Sequence, residues 1–280
     1  MGQPPADAIE GSLARIAAAL ERIAPPARAA VDWLAHPAYV WQGQGRAREL
    51  PEFEAMPLAQ LRGIEAQKRA LSDNLERLAM GAAAHDALLW GARGMGKSAL
   101  VRACAHHVQT RHRGALGLVQ IHAEALDDVP ALIAELRDIR RAFLLFVDDL
   151  GFSQAEAQNM LALRSLLDGS IAARPAHIRL VVTSNRRAII AREAQDNAPL
   201  HERDERDNAL ALADRFGLTL GFHPCERATY LEILATYTDP LGLTVDEEEA
   251  LAWAIARGNR SGRTAYQFAC ELAGRAGLAL

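Results

Sequence analysis

The chain has 280 residues, 50% of them apolar and 24% charged, with a formal net charge of −4; it is long enough for one large domain and a small one, and no overall positive field favours nucleic acid. No apolar run reaches the ~20 residues of a membrane span, and no basic-then-apolar leader opens the sequence, so a cytoplasmic protein without membrane contact is expected. The three cysteines, Cys104, Cys225 and Cys270, are widely spaced and odd in number, which fits neither a disulfide framework nor a metal motif; Cys104 with His107 supplies only two ligands.

The first predicted element is a helix over 6–24, with Leu13, Ile16, Leu20 and Ile23 on one stripe, ended by Pro25 and Pro26. The stretch holding Trp33, Tyr39 and Trp41, broken by Pro37 and Gly43–Gly45, reads as irregular. Residues 1–60 are therefore expected to form a helical N-terminal extension packed on the core, its aromatics used in packing or as a partner-binding surface. From residue 61 the pattern alternates. A helix from Ile64 to about Met80 precedes an apolar run, Ala87–Trp90, and a Gly-rich turn precedes a helix from Lys97 to about Arg111. Leu116–Ile121, Phe143–Val147, Ile178–Thr183 and Leu218–Phe222 read as strands, with helices near 129–138 and 154–168. Strands alternating with helices imply a parallel sheet covered on both faces, here of five strands. Residues 187–208 mix both signs of charge and read as a solvated loop. Beyond Phe222 only helices are predicted, at 225–237, 246–257 and 262–277. The expected organisation is an extension (1–60), an α/β core (61–223) and a small helical lid (224–280).

Gly91-Ala92-Arg93-Gly94-Met95-Gly96-Lys97-Ser98 fits the phosphate-binding pattern G-x-x-x-x-G-K-[ST] between a predicted strand and a predicted helix. Successive backbone N–H groups of such a loop point into one concavity and bind anionic oxygens, and the helix that follows, here through Ala99, adds its N-terminal partial charge. Lys97 is expected to reach the β- and γ-phosphates of ATP, and Ser98 to ligate Mg2+. The third predicted strand closes on Asp148-Asp149. Asp148 is the candidate for holding Mg2+, and Asp149 for polarising an attacking water. His106, His107, Arg111, His112 and Arg113 cluster at the end of the P-loop helix, where cations suit the helix dipole; nucleic-acid contact is the other reading.

With these residues in hand the chain resembles the AAA+ P-loop ATPases. Val181-Val182-Thr183-Ser184-Asn185 looks like that superfamily's sensor-1 strand, so the resemblance gives Asn185 a place beside the γ-phosphate. Asp214-Arg215-Phe216-Gly217 looks like the segment carrying the arginine finger, implying that Arg215 acts in trans within a homo-oligomer; Arg186 and Arg187 are alternatives. Gly258–Arg263 resembles sensor 2, with Arg263 the first choice and Arg260 the second, and Leu61-Arg62-Gly63-Ile64 resembles the segment that packs near the adenine. The chain is most similar to an uncharacterised bacterial family of AAA+ ATP-binding proteins, through Leu88–Ser98, Asp148–Leu150, Thr183–Arg187, Asp214–Leu218 and Arg260–Phe268, a likeness covering about residues 50–275. AAA+ proteins usually carry Glu where this chain has Asp149, which is one methylene shorter. The resemblance implies an ATPase that loads or remodels a macromolecular partner. A non-hydrolysing assembly switch is the second reading. A small-molecule kinase fits less well with the predicted lid and Asn185.

Overall fold

The computed structural model describes residues 6–23, 30–151, 157–168, 174–185 and 211–280. Residues 1–32 form one unit and 33–280 another. In the first, α1 (Ala6–Ile23) carries Leu13, Ile16 and Leu20 exposed on its stripe.

The second unit is built on a sheet of seven strands, not five. Its strands are β1 (Ala38–Gly43), β2 (Arg46–Leu50), β3 (Ala87–Gly91), β4 (Leu116–Ile121), β5 (Ala142–Val147), β6 (Ile178–Ser184) and β7 (Leu218–Phe222), in the order β2-β1-β4-β5-β6-β3-β7. The five strands predicted from the apolar runs are β3 to β7, and each pairs in parallel with its neighbours. All six residues of β5 are buried, which is why the strand reads as one apolar run rather than an alternation.

The two extra strands come from the stretch read as irregular. β1 joins the sheet parallel to β4, and β2 folds back antiparallel across the Gln44–Gly45 turn. The expected 1–60 extension therefore divides: residues 38–50 belong to the sheet itself. Trp33, Tyr39 and Trp41 are 4%, 0% and 0% exposed, packed on one another and on Phe143. Arg141 fastens this addition, donating to the carbonyl oxygens of Trp33 (2.9 Å), His36 (2.7 Å) and Leu116 (2.8 Å). One buried guanidinium thus satisfies three backbone acceptors that strand pairing leaves over.

Five described helices lie in or beside this α/β part: α2 (Glu65–Ala79), α3 (Lys97–Arg111), α4 (Val129–Leu136), α5 (Ala157–Asp168) and, after the last strand, α6 (Arg227–Thr238). The C-terminal segment continues with α7 (Glu247–Ala256) and α8 (Gly262–Arg275). One buried cluster runs from Leu71, Leu75 and Leu100 through Leu89 and Val181 to Tyr230, Leu234 and Phe268, so the C-terminal helices share their core with the sheet. The charged stretch 187–208, with Arg186 and Arg187, lies outside the described residues.

Candidate functional site

Parallel register gathers the strand ends. Val147 pairs with Val182, and Trp90 with Ser184. The residues that follow these pairs, Asp148, Asn185 and the Gly91 loop, therefore converge at the carboxyl edge of the sheet, where ligands of open α/β sheets bind. A cleft of about 430 Å³ opens there, within the usual range for a small-molecule site.

The loop is anchored at its start. Gly91 has φ +125°, and a Cβ on it would lie 2.0 Å from the carbonyl oxygen of Phe222; only glycine fits. Ala92 donates its N–H to that same oxygen at 2.9 Å. Beyond it the accounting changes. Among the described residues, the amides from Arg93 to Ala99 donate to no acceptor in the fold outside α3 itself, although Met95 and Lys97 are only 8% and 6% exposed. Unpaired N–H groups at the start of a helix, beside a cleft, are suited to receive an anion.

Lys97 opens α3, and its ammonium spends all three protons inside the site. It donates to the carbonyl oxygens of Gly91 and Ala92, each at 2.9 Å, and to Oδ1 of Asn185 at 2.8 Å. Burial pushes its pKa down to about 8, against the attraction of Asp149 and Asp148 and with help from Arg263 and Arg93. Ser98 donates to Asp148 Oδ1 at 2.5 Å, and Thr183 donates to the same oxygen at 2.6 Å. The Asn185 side-chain amide donates to Asp149 Oδ1 in close contact. Asn185 thus links the lysine to the second aspartate.

The C-terminal helices reach the loop through α8. Ser261 and Thr264 cap this helix reciprocally, with Ser261 N to Thr264 Oγ1 at 3.0 Å and Thr264 N to Ser261 Oγ at 3.2 Å. The Arg263 amide donates to the Gly94 carbonyl at 3.3 Å. Gly94 has φ +79°, and a Cβ there would meet Ser261 Oγ at 3.0 Å and Arg263 Cβ at 3.2 Å. Gly94 thus packs against the start of α8.

Part of the lining is apolar: Met56, Leu61, Ile64, Ile233, Tyr237 and Tyr266. The two tyrosine rings meet edge-on, 5.4 Å apart. Five basic side chains, Arg62, Arg93, Lys97, Arg102 and Arg263, line the cleft against two carboxylates. The local field therefore attracts anions although the chain as a whole is acidic.

Of the residues singled out from sequence, Arg93 to Ala99, Ile64, Asp148, Asp149, Asn185 and Arg263 all line the cleft. Gly91 and Ala92 sit behind it, as carbonyl acceptors for Lys97. Arg260 offers only its carbonyl, to the Cys225 thiol at 3.2 Å. Arg215 is elsewhere: its guanidinium contacts Asp168 and the Ala211 carbonyl, and the bond to Asp168 raises its pKa. Sequence reasoning passed over Thr183, Met56, Tyr237 and Tyr266. The signal for Tyr266 was its place three residues after Arg263, on the same helix face. Cys104 is buried, its thiol pushed up to about 11, and among the described residues no group of three or more His, Cys, Asp or Glu could hold a metal ion.

A family model described as "Protein of unknown function (DUF815)" matches residues 34–276. Comparison with curated proteins gives no match. Among solved structures the chain is similar to the Thermotoga maritima RuvB Holliday junction branch migration motor, with TM-score 0.50, 19% identity and 79% of this chain covered. It is also similar to the Aeropyrum pernix Orc1 protein in complex with DNA (TM-score 0.57, 18% identity, 77% covered) and to the FIGL-1 AAA domain in complex with ADP (TM-score 0.50, 19% identity, 79% covered). It spans 66%, 61% and 74% of those three chains. At these identities the likeness shows a shared AAA+ fold.

Proposed function

We propose, for a chain that belongs to the DUF815 family and has the AAA+ fold, that the cleft binds ATP with Mg2+ and hydrolyses it to drive loading or remodelling of a macromolecular partner. The observation that carries this reading is the run of unpaired amides from Arg93 to Ala99 beside a buried lysine and four arginines. Uncompensated donors and cations in one concavity suit a polyphosphate. The apolar side chains of the lining, Ile64 and Tyr266 among them, suit a nucleobase.

Ser98 and Asp148 would hold the metal ion; a hydroxyl and a carboxylate side by side are the oxygen donors that Mg2+ prefers. Bound there, the ion would supply neutralisation of phosphate charge. Asp149, exposed at the cleft with one oxygen bonded by Asn185, would accept a proton from an attacking water. Arg263 reaches the same cleft from the lid and would bind the terminal phosphate.

Calorimetric titration of the full chain with ATP and Mg2+ tests the reading. Saturable binding to one site is expected, and a flat titration of folded protein would overturn it.

Arg215 lies outside the chain's own cleft, the position required of a finger that completes a neighbour's site. Arg215→Ala should leave ATP affinity unchanged and lower turnover by about 10³-fold or more. Mixing it with Lys97→Ala should restore part of the activity, since each supplies what the other lacks. No recovery at concentrations where the chain self-associates would remove Arg215 from that role. The pairing of Arg215 with Asp168 also favours a second reading, an assembly switch that does not turn over. Phosphate release by the assembled wild-type chain decides between the two.

A further inference from the structure

Asp148 and Asp149 are consecutive, yet both line the same cleft. Successive side chains of a strand point to opposite faces, so a simple extension of β5 would turn one carboxylate away. The structure resolves this at one residue: Asp149 has φ +53°, in the left-handed region. Aspartate enters that region more readily than most side chains, and here its surroundings fix it there.

What holds it is Thr183. This residue is 1% exposed on β6, and parallel register sets it beside Asp148, one step beyond the Val147–Val182 pair. Its hydroxyl accepts the Asp149 N–H at 2.8 Å and donates to Asp148 Oδ1 at 2.6 Å. Its carbonyl accepts the Leu150 N–H at 2.8 Å. A hydroxyl has one proton. Because the Asp149 amide already donates to the oxygen, that proton goes to Asp148. Asp148 Oδ1 then receives two hydroxyl protons, from Thr183 and Ser98, and Oδ2 takes no bond among the described residues.

We propose that Thr183 is a positioning residue for both aspartates, turning Asp149 into the cleft through its amide and orienting Asp148 through Oδ1. The proposal rests on the reading of Asp148 as metal holder and Asp149 as base. It deepens that reading by naming the residue that aims them. Thr183 borders the cleft but is 1% exposed, and its hydroxyl is taken up by the two aspartates. Its effect passes through the two carboxylates, so it is felt in turnover and in metal dependence rather than in affinity for the nucleotide alone.

The test uses Thr183→Val, which keeps the branched shape and loses the hydroxyl, and Thr183→Ser, which keeps the hydroxyl. Three quantities are read on the full chain: kcat, ATP affinity without Mg2+, and the gain in ATP affinity on adding Mg2+. Thr183→Val should lower kcat by about tenfold to a hundredfold. It should shrink the gain on adding Mg2+ and leave affinity without the metal within about twofold. Thr183→Ser should restore kcat and the Mg2+ gain. Should Thr183→Val fail to fold, as a melt would show, Thr183→Ala is read against Thr183→Ser in the same way. Wild-type values in the hydroxyl-free variant would overturn the proposal, and so would equal losses in the valine and serine variants. A wild-type chain that binds no ATP would instead remove the nucleotide reading itself, and the titration of that chain separates the two failures.

Discussion

Replacing Lys97 with alanine is expected to weaken ATP binding by about 2 kcal/mol or more, roughly 30-fold in Kd. Lys97 is 6% exposed, and its ammonium's three protons are committed to Gly91 O, Ala92 O and Asn185 Oδ1. A cation held this deep, its pKa drawn down to about 8 by burial, gains more from a polyphosphate than one already solvated. The alanine variant also leaves two carbonyl oxygens without their donor, and an unpaired buried acceptor costs about 1–3 kcal/mol. The melting temperature should therefore fall as well. Calorimetry on protein confirmed to be folded separates loss of binding from loss of structure. Unchanged affinity would show that the loop does not grip phosphate through this lysine.

Asp149→Asn should keep nucleotide binding and lose turnover, by about 10² to 10⁴ in kcat. The substitution is clean for a structural reason. Asparagine tolerates the left-handed backbone as aspartate does, so φ +53° at this position need not change. What is lost is the charge and one carboxylate oxygen; the amide oxygen that remains can still accept from Asn185. Phosphate release measured at saturating ATP reads the effect directly. A variant that hydrolyses at the wild-type rate would move the base elsewhere in the cleft.

The parts of the site that were legible in the sequence are those dictated by local chemistry. A glycine-rich turn followed by Lys97 and Ser98 has few other uses, and β5 is buried on both faces, so its sequence reads as an unbroken apolar run. The β1–β2 hairpin was not legible. Its turn, Gln44–Gly45, is a weaker signal than Asn-Gly, and its two strands look unlike each other: AYVWQG is almost wholly buried, whereas RAREL lies on the open edge. Thr183 escaped because its importance is a matter of register: nothing in the string Val182-Thr183-Ser184 says that a threonine will stand beside Asp148. The same holds for Tyr237 and Tyr266, 29 positions apart and joined only when α6 packs on α8. Long-range pairing, unlike a loop motif, leaves no mark at a fixed spacing.

The contact between Gly94 and the start of α8 has a mechanical side. The loop meets α8 at one end of a rod: α8 runs from Gly262 to Arg275, 14 residues, or about 21 Å at 1.5 Å per residue. Pivoting the rod by roughly 10° at the Gly94 end sweeps the opposite tip through about 4 Å, by the same helix dimensions. Arg275 sits at that tip, bonded to Glu249 and Glu271. A pivot of that size at the loop would carry the outer end of α8 about the width of a side chain.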